Sequence, residues 1–235
     1  MNGLFAIYKK EIVTYFRSPI AYFLISSFLL GTGYFFIYNV FSTGAATMDL
    51  TFRDMAFLLM ILIPVLTMRI FAGEYAGRTM DLLVTLPIFT WQIVLGKYLA
   101  AVTILLIMTL ATFINLIPMF LYGNPHIINI VSGYIGFVLL GMASISIGQL
   151  YSALTKNQII AALLTLPTLL GFWWLGQLQN MQSSAFMQKF VGYLAFSIHY
   201  SELIRGLLRS EAVVYYLLVI LTSVTLTINY IKWRR

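Results

Sequence analysis

The sequence predicts an all-α polytopic membrane protein, with six transmembrane helices forming a single domain over residues 1–235. Three observations carry this. The chain of 235 residues is 61% apolar and only 9% charged, against roughly 45–50% and about 25% in soluble domains. A water-soluble globule is excluded. The apolar residues fall into six stretches, 20–41, 55–73, 91–121, 130–151, 159–178 and 212–231. Each is long enough for the roughly 20 helical residues that cross a hydrocarbon layer of about 30 Å. The third observation is the placement of charge. With both termini in the cytoplasm, ten basic residues fall inside (Lys9, Lys10, Arg17, Arg69, Arg78, Lys97, Lys156, Lys232, Arg234, Arg235) and four outside (Arg53, Lys189, Arg205, Arg209), as the positive-inside rule requires. The carboxylates divide into Glu11, Glu74 and Asp81 inside and Asp49, Asp54, Glu202 and Glu211 outside, so the whole formal charge of +7 lies on the inner side.

Residues 1–18 predict an interfacial helix on the inner leaflet. Leu4, Ile7, Tyr8, Ile12, Tyr15 and Phe16 recur at helical spacing, with Lys9, Lys10 and Glu11 elsewhere, before Ser18 and Pro19 break it. The first apolar run is too long for a signal-peptide core and is expected to remain as an anchor. Pro64, Pro118 and Pro167 fall inside spans two, three and five, where each frees a backbone carbonyl and favours a bend. Between spans two and three, residues 74–87 are amphipathic, with Glu74 and Arg78 spaced as an i,i+4 pair and Arg78 and Asp81 as an i,i+3 pair. The stretch is too polar for lipid and too regular for a slack loop. Span four carries the small-xxx-small pairs Ser132/Gly136 and Ser144/Gly148, read as close helix packing within the subunit, with a dimer seam as the alternative. A short inner loop, 152–158, leads to span five. Residues 179–210 are long for a structureless connection, yet contain Phe186, Phe190, Leu194, Phe196, Ile198, Leu203, Leu207 and Leu208. They predict an extracytoplasmic hairpin of one or two short helices dipping into the outer interface. Tyr122, Trp173, Trp174 and Trp233 fall near the expected membrane boundaries, where aromatic residues anchor.

Several chemistries are excluded. With no cysteine there is no disulfide, thiolate metal site or thiol nucleophile. The two histidines, His126 and His199, fall in or beside outer loops, too few for metal chemistry and misplaced for an intramembrane hydrolase. The only Gly-Lys, Gly96-Lys97, is followed by Tyr98 at the start of a membrane helix rather than closing a phosphate loop. This chain is therefore expected to bind no nucleotide or other cofactor and to be no enzyme; any ATP is hydrolysed elsewhere. The central portions of all six spans lack ionisable side chains, which argues against an ion-coupled carrier or cation channel. The basic residues form no contiguous face, so nucleic acid is not a partner.

One cytoplasmic sequence carries the positive signal. It runs Ile63-Pro64-Val65-Leu66-Thr67-Met68-Arg69, then Glu74-Tyr75-Ala76-Gly77-Arg78-Thr79-Met80-Asp81-Leu82-Leu83-Val84-Thr85-Leu86-Pro87, then Ile93-Val94-Leu95-Gly96-Lys97-Tyr98. This resembles the membrane subunits of ABC-2 type transporters, whose second span runs into a cytoplasmic coupling helix and whose third opens on Gly-Lys. Phe196-Ser197-Ile198-His199-Tyr200 and Ile204-Arg205-Gly206, with Val214-Tyr215 entering the last span, resemble the gliding-motility-associated and NosY-like permeases of that group. Ser18-Pro19-Ile20-Ala21-Tyr22 and Thr155-Lys156-Asn157-Gln158 fit as well.

The resemblance implies a permease subunit of an ATP-binding-cassette exporter in the bacterial cytoplasmic membrane. It implies pairing with a second copy or paralogue and with separate ATPase subunits that hold ATP and Mg. The coupling helix would be residues 74–88, with Glu74, Gly77, Arg78, Asp81, Leu82, Leu83, Leu86 and Pro87 at the ATPase interface. Lys156, Asn157 and Gln158 would add a second cytoplasmic contact. The rival expectation is a membrane scaffold or anchor that moves no solute, serving a cell-envelope complex such as a gliding or secretion machine.

Overall fold

The computed structural model describes residues 3–43, 48–77, 88–122, 126–178, 185–207 and 209–234, and among these there are helices and turns but no strand. Six helical segments are long and apolar enough to cross a membrane: Pro19–Ser42, Asp49–Ala76, Thr90–Leu121, Ile127–Leu154, Gln158–Leu178 and Ser210–Trp233. The chain is an all-α multi-pass membrane protein.

Helix α1 (Gly3–Arg17) ends one residue before α2 (Pro19–Thr43). The Ser18 N–H still bonds back to Thr14 and Tyr15 at 3.2 Å, and Pro19, which has no N–H to lose, opens the next helix at its first position. The second apolar stretch is not one helix, contrary to expectation: α3 (Asp49–Thr67) gives way to a turn before α4 (Ala72–Ala76). The third is also interrupted. Helix α5 (Thr90–Ala111) passes through a 3₁₀ turn at Thr112–Asn115 into α6 (Leu116–Tyr122), next to the Ile114 carbonyl that Pro118 cannot bond. Then come α7 (Ile127–Leu154), α8 (Gln158–Leu178), two short helices α9 (Ala185–Leu194) and α10 (Phe196–Ile204), and α11 (Ser210–Trp233).

Helix α7 is the central post, packed against α3, α5, α8, α10 and α11. Its small residues explain how. A side chain at Gly133 would strike Phe52 of α3, one at Gly136 would stand 2.9 Å from Leu203 of α10, and one at Gly148 would strike Thr67 of α3. The small pairs of span four therefore serve packing within the chain. Around this post, α2 and α8 turn apolar residues such as Leu30, Phe41, Ile159 and Leu163 outward, as lipid-facing helices do. Trp174 and Trp233, near the ends of α8 and α11, are exposed.

The termini share one end of the bundle, here the terminal face; α9 and α10 sit at the other, the far face. There Tyr200 Oη donates to the Phe52 carbonyl at 2.9 Å, Tyr216 Oη to Phe196 at 3.0 Å and Ser197 Oγ to Trp173 at 2.7 Å. The His199 ring stacks on Tyr215 with centroids 4.2 Å apart. Helix α10 ends at Gly206, whose φ of 83° only glycine adopts without strain. Helix α9 presents Phe186, Phe190 and Tyr193 outward.

Candidate functional site

Lys97 lies about two turns into an apolar membrane helix, where an unpaired ammonium would be costly. Its side chain is 1% exposed, and its Nζ lies 2.8 Å from Glu11 Oε1 of α1 and 2.9 Å from Glu74 Oε1 of α4. Lys10 touches the same two carboxylates from the solvent side, 3.7 Å from Glu11 and 3.3 Å from Glu74. The Phe71 ring lies beneath the Lys97 ammonium, 5.4 Å from its centroid. Two cations and two anions thus neutralise one another in a site where Glu11 and Glu74 are nearly as enclosed as Lys97. The cluster depends on Lys97 and its two carboxylates, because removing one of these three leaves a buried charge uncompensated, while the half-exposed Lys10 adds less.

Gly96 makes the approach possible. A Cβ there would stand 3.1 Å from the Leu4 carbonyl oxygen and 3.0 Å from Ile7, so a larger residue would push α1 away from α5. One helix face further, Tyr8 and Thr103 share a hydrogen bond of 3.0 Å. On the other flank Tyr15 Oη donates to the Leu66 carbonyl at 3.3 Å. Burial, and then the charge of Glu11, push the Tyr15 phenol well above its ordinary pKa, so it stays a donor. Glycine followed by lysine is thus a docking signal for α1: the first residue admits the helix and the second ties it down.

Helix α4 is held from several sides. The turn before it is closed by one hydroxyl of α7: Ser152 Oγ accepts the N–H of Phe71 at 3.0 Å and of Ala72 at 3.1 Å, and donates to the Met68 carbonyl at 3.1 Å. The Gln158 amide at the start of α8 lies beside Gly73. From the end of α11 the Arg234 guanidinium sits over the Tyr75 ring, 5.0 Å from its centroid. Lys97 and Lys10 complete the set through Glu74. Four residues of α4, Ala72, Gly73, Glu74 and Tyr75, therefore touch α1, α5, α7, α8 and α11, and residues 78–87 follow the helix in sequence after Gly77.

Glu74 is turned inward to Lys97, since a lysine buried in a span demands a carboxylate; its expected pairing with Arg78 falls on a residue outside those described. Gly77 is exposed in the turn after α4. Arg78, Asp81, Leu82, Leu83, Leu86 and Pro87 lie outside the described residues. Lys156 and Asn157 are exposed; Asn157 Oδ1 accepts the Ile159 N–H at 2.9 Å and so caps α8. The structure brings Glu74 and Gln158 to the same short helix. The sequence reading missed Glu11, Lys97, Ser152 and Arg234 as members of this site. The available signals were a lysine placed inside an apolar span and the lone carboxylate of an otherwise basic amphipathic helix.

A charge cluster drawn from three helices, on a short helix that touches five others, is suited to carrying a displacement rather than to reacting. Residues 5–234 match the family model described as ABC-2 family transporter protein. No curated protein matches the chain.

Proposed function

The chain belongs to the ABC-2 transporter family, and from that premise we propose that it is the permease subunit of an ATP-driven exporter. In this reading the terminal face lies in the cytoplasm of a bacterium, and the subunit pairs with a second copy or a paralogue. Two separate ATPase subunits bind ATP and Mg and dock on residues 74–88, with Leu82, Leu83 and Leu86 as apolar contacts and Arg78 and Asp81 setting orientation. Lys156 and Asn157, exposed beside α4, make a smaller second contact. Phe196-Ser197-Ile198-His199-Tyr200 and Ile204-Arg205-Gly206 favour the gliding-associated and NosY-like branch. The cargo leaves toward the far face.

Mechanically, closure of the ATPase dimer displaces residues 78–87 and with them α4. Because α4 is fastened to α1 and α5 by the Lys97 cluster and to α7 by Ser152, the push reaches the central post and the third span together. Packed cores shift between discrete arrangements rather than flexing continuously, so a small displacement can switch the two permease halves between states. The single observation that supports this reading is the placement of α4 as a hub at the root of the coupling stretch.

The test replaces Leu82 and Leu83 together by aspartate and measures co-purification with the ATPase from native membranes. The expected result is loss of the ATPase with normal membrane insertion of the permease. An intact complex with unchanged ATP-dependent transport contradicts the proposal. A complex that forms normally yet moves no solute favours the scaffold.

A further inference from the structure

The far face holds a cavity of about 600 Å³ between the start of α3, the end of α8 and α10, a size typical of small-ligand sites. Its lining is polar and carries one charge of each sign, Arg53 and Asp54. The two are neighbours on a helix, so they project in different directions and form no ion pair. Arg53 has no ion-pair or hydrogen-bond partner among the described residues. Asp54 accepts a hydrogen bond from Asn39 Nδ2 at 2.8 Å through Oδ2, which leaves the other carboxylate oxygen for a ligand.

The remaining lining is biased toward accepting. Ser197 and Ser201 also line the cavity, and each spends its hydroxyl proton on a backbone carbonyl, at 2.7 Å on Trp173 and 2.8 Å on Ile198. Their oxygens are thereby left as acceptors. Trp173 and Tyr200 add aromatic wall, which suits an ammonium as well as an alkyl stem. Arg53 stands one turn into span two and Gln177 at the last turn of span five, so the cavity sits at headgroup depth rather than within the hydrocarbon.

An anion alone would meet Arg53 but face Asp54, and a cation alone the reverse; a molecule carrying both satisfies both. We propose that this cavity binds a zwitterionic group, a phosphate held by Arg53 and a primary ammonium held by Asp54, Ser197 and Ser201. The ammonium must be primary because these acceptors need N–H donors, which a quaternary choline lacks. Phosphoethanolamine is the matching chemistry, either as a lipid headgroup of the adjacent leaflet or as a free small molecule. The inference needs only the membrane setting and the cavity, and stands whether or not the chain transports.

The test uses the full chain in non-ionic detergent with Trp91, Trp174 and Trp233 replaced by phenylalanine, so that Trp173 in the cavity wall is the only tryptophan. Its emission is titrated with phosphatidylethanolamine, phosphatidylcholine, phosphatidylglycerol and soluble glycerophosphoethanolamine. Phosphatidylethanolamine is expected to give a saturable shift, with phosphatidylcholine and phosphatidylglycerol weaker by about tenfold or more, the scale of one lost charge-assisted hydrogen bond. Arg53→Gln and Asp54→Asn should each weaken it by about the same factor without changing thermal unfolding or the elution profile. A response to the soluble headgroup assigns the site to a free zwitterion as well as to lipid; a response to the lipid alone assigns it to lipid. Absence of any saturable shift, an equal response to phosphatidylglycerol, or wild-type affinity in both variants overturns the proposal.

Discussion

The two ends of this molecule handle charge in opposite ways. At the terminal face, Lys10, Glu11, Glu74 and Lys97 come from three helices into one enclosed cluster and cancel one another. At the far face, helices are joined by aromatic rings and by tyrosine and serine hydroxyls on backbone carbonyls, and the charges of Arg53 and Asp54 stay open to a cavity. Charges that are pooled can hold elements in register but cannot take up a ligand. Charges kept apart can bind but add little to cohesion. On the readings proposed above, the first end moves as a unit and the second meets a ligand.

Removing the hub cation should have the largest effect. Lys97→Met leaves Glu11 and Glu74 facing each other with only the half-exposed Lys10 between them, and should destabilise the detergent-solubilised protein by about 3–5 kcal/mol, the cost of orphaning one side of a buried pair. Thermal unfolding reads this directly; a loss below about 1 kcal/mol would mean that water already screens the cluster. Next comes Gly96→Val, which crowds Leu4 and Ile7 and should cost about 1–3 kcal/mol by overpacking, while exposing α1 to proteolysis sooner than the rest of the chain.

The far face should respond more mildly. Tyr200→Phe removes a single buried hydroxyl from the Phe52 carbonyl and should cost about 1 kcal/mol in the same assay. Glu202→Gln dissolves the solvent-exposed pair with Arg209, 3.1 Å long, and should change stability by no more than about 0.5 kcal/mol. If Glu202→Gln proved as damaging as Lys97→Met, the contrast between the two ends would fail.

The six spans, the break at Ser18 and Pro19, and the short helices Ala185–Leu194 and Phe196–Ile204 were legible because each is a local matter of apolar run length, a proline, or helical spacing. The cluster was not. Lys97 meets Glu11 and Glu74 across long sequence separations, and spacing rules see only neighbours such as Glu74 and Arg78. The turn between α3 and α4 was only half visible: Pro64 and Arg69 interrupt the apolar run 55–73, but the N–H groups of the turn are satisfied by Ser152 from another span, which the run itself does not show. The Gly96-Lys97 pair was visible as a motif, but its meaning required the presence of α1.

Since the chain has no cysteine, a single Leu82→Cys substitution gives a unique handle on the coupling stretch. In native membranes it should crosslink to an ATPase subunit and resist membrane-impermeant maleimide applied from outside intact cells. Labelling from outside, or no crosslink to any ATPase in a complete native particle, would contradict the view that force enters this permease at its terminal face.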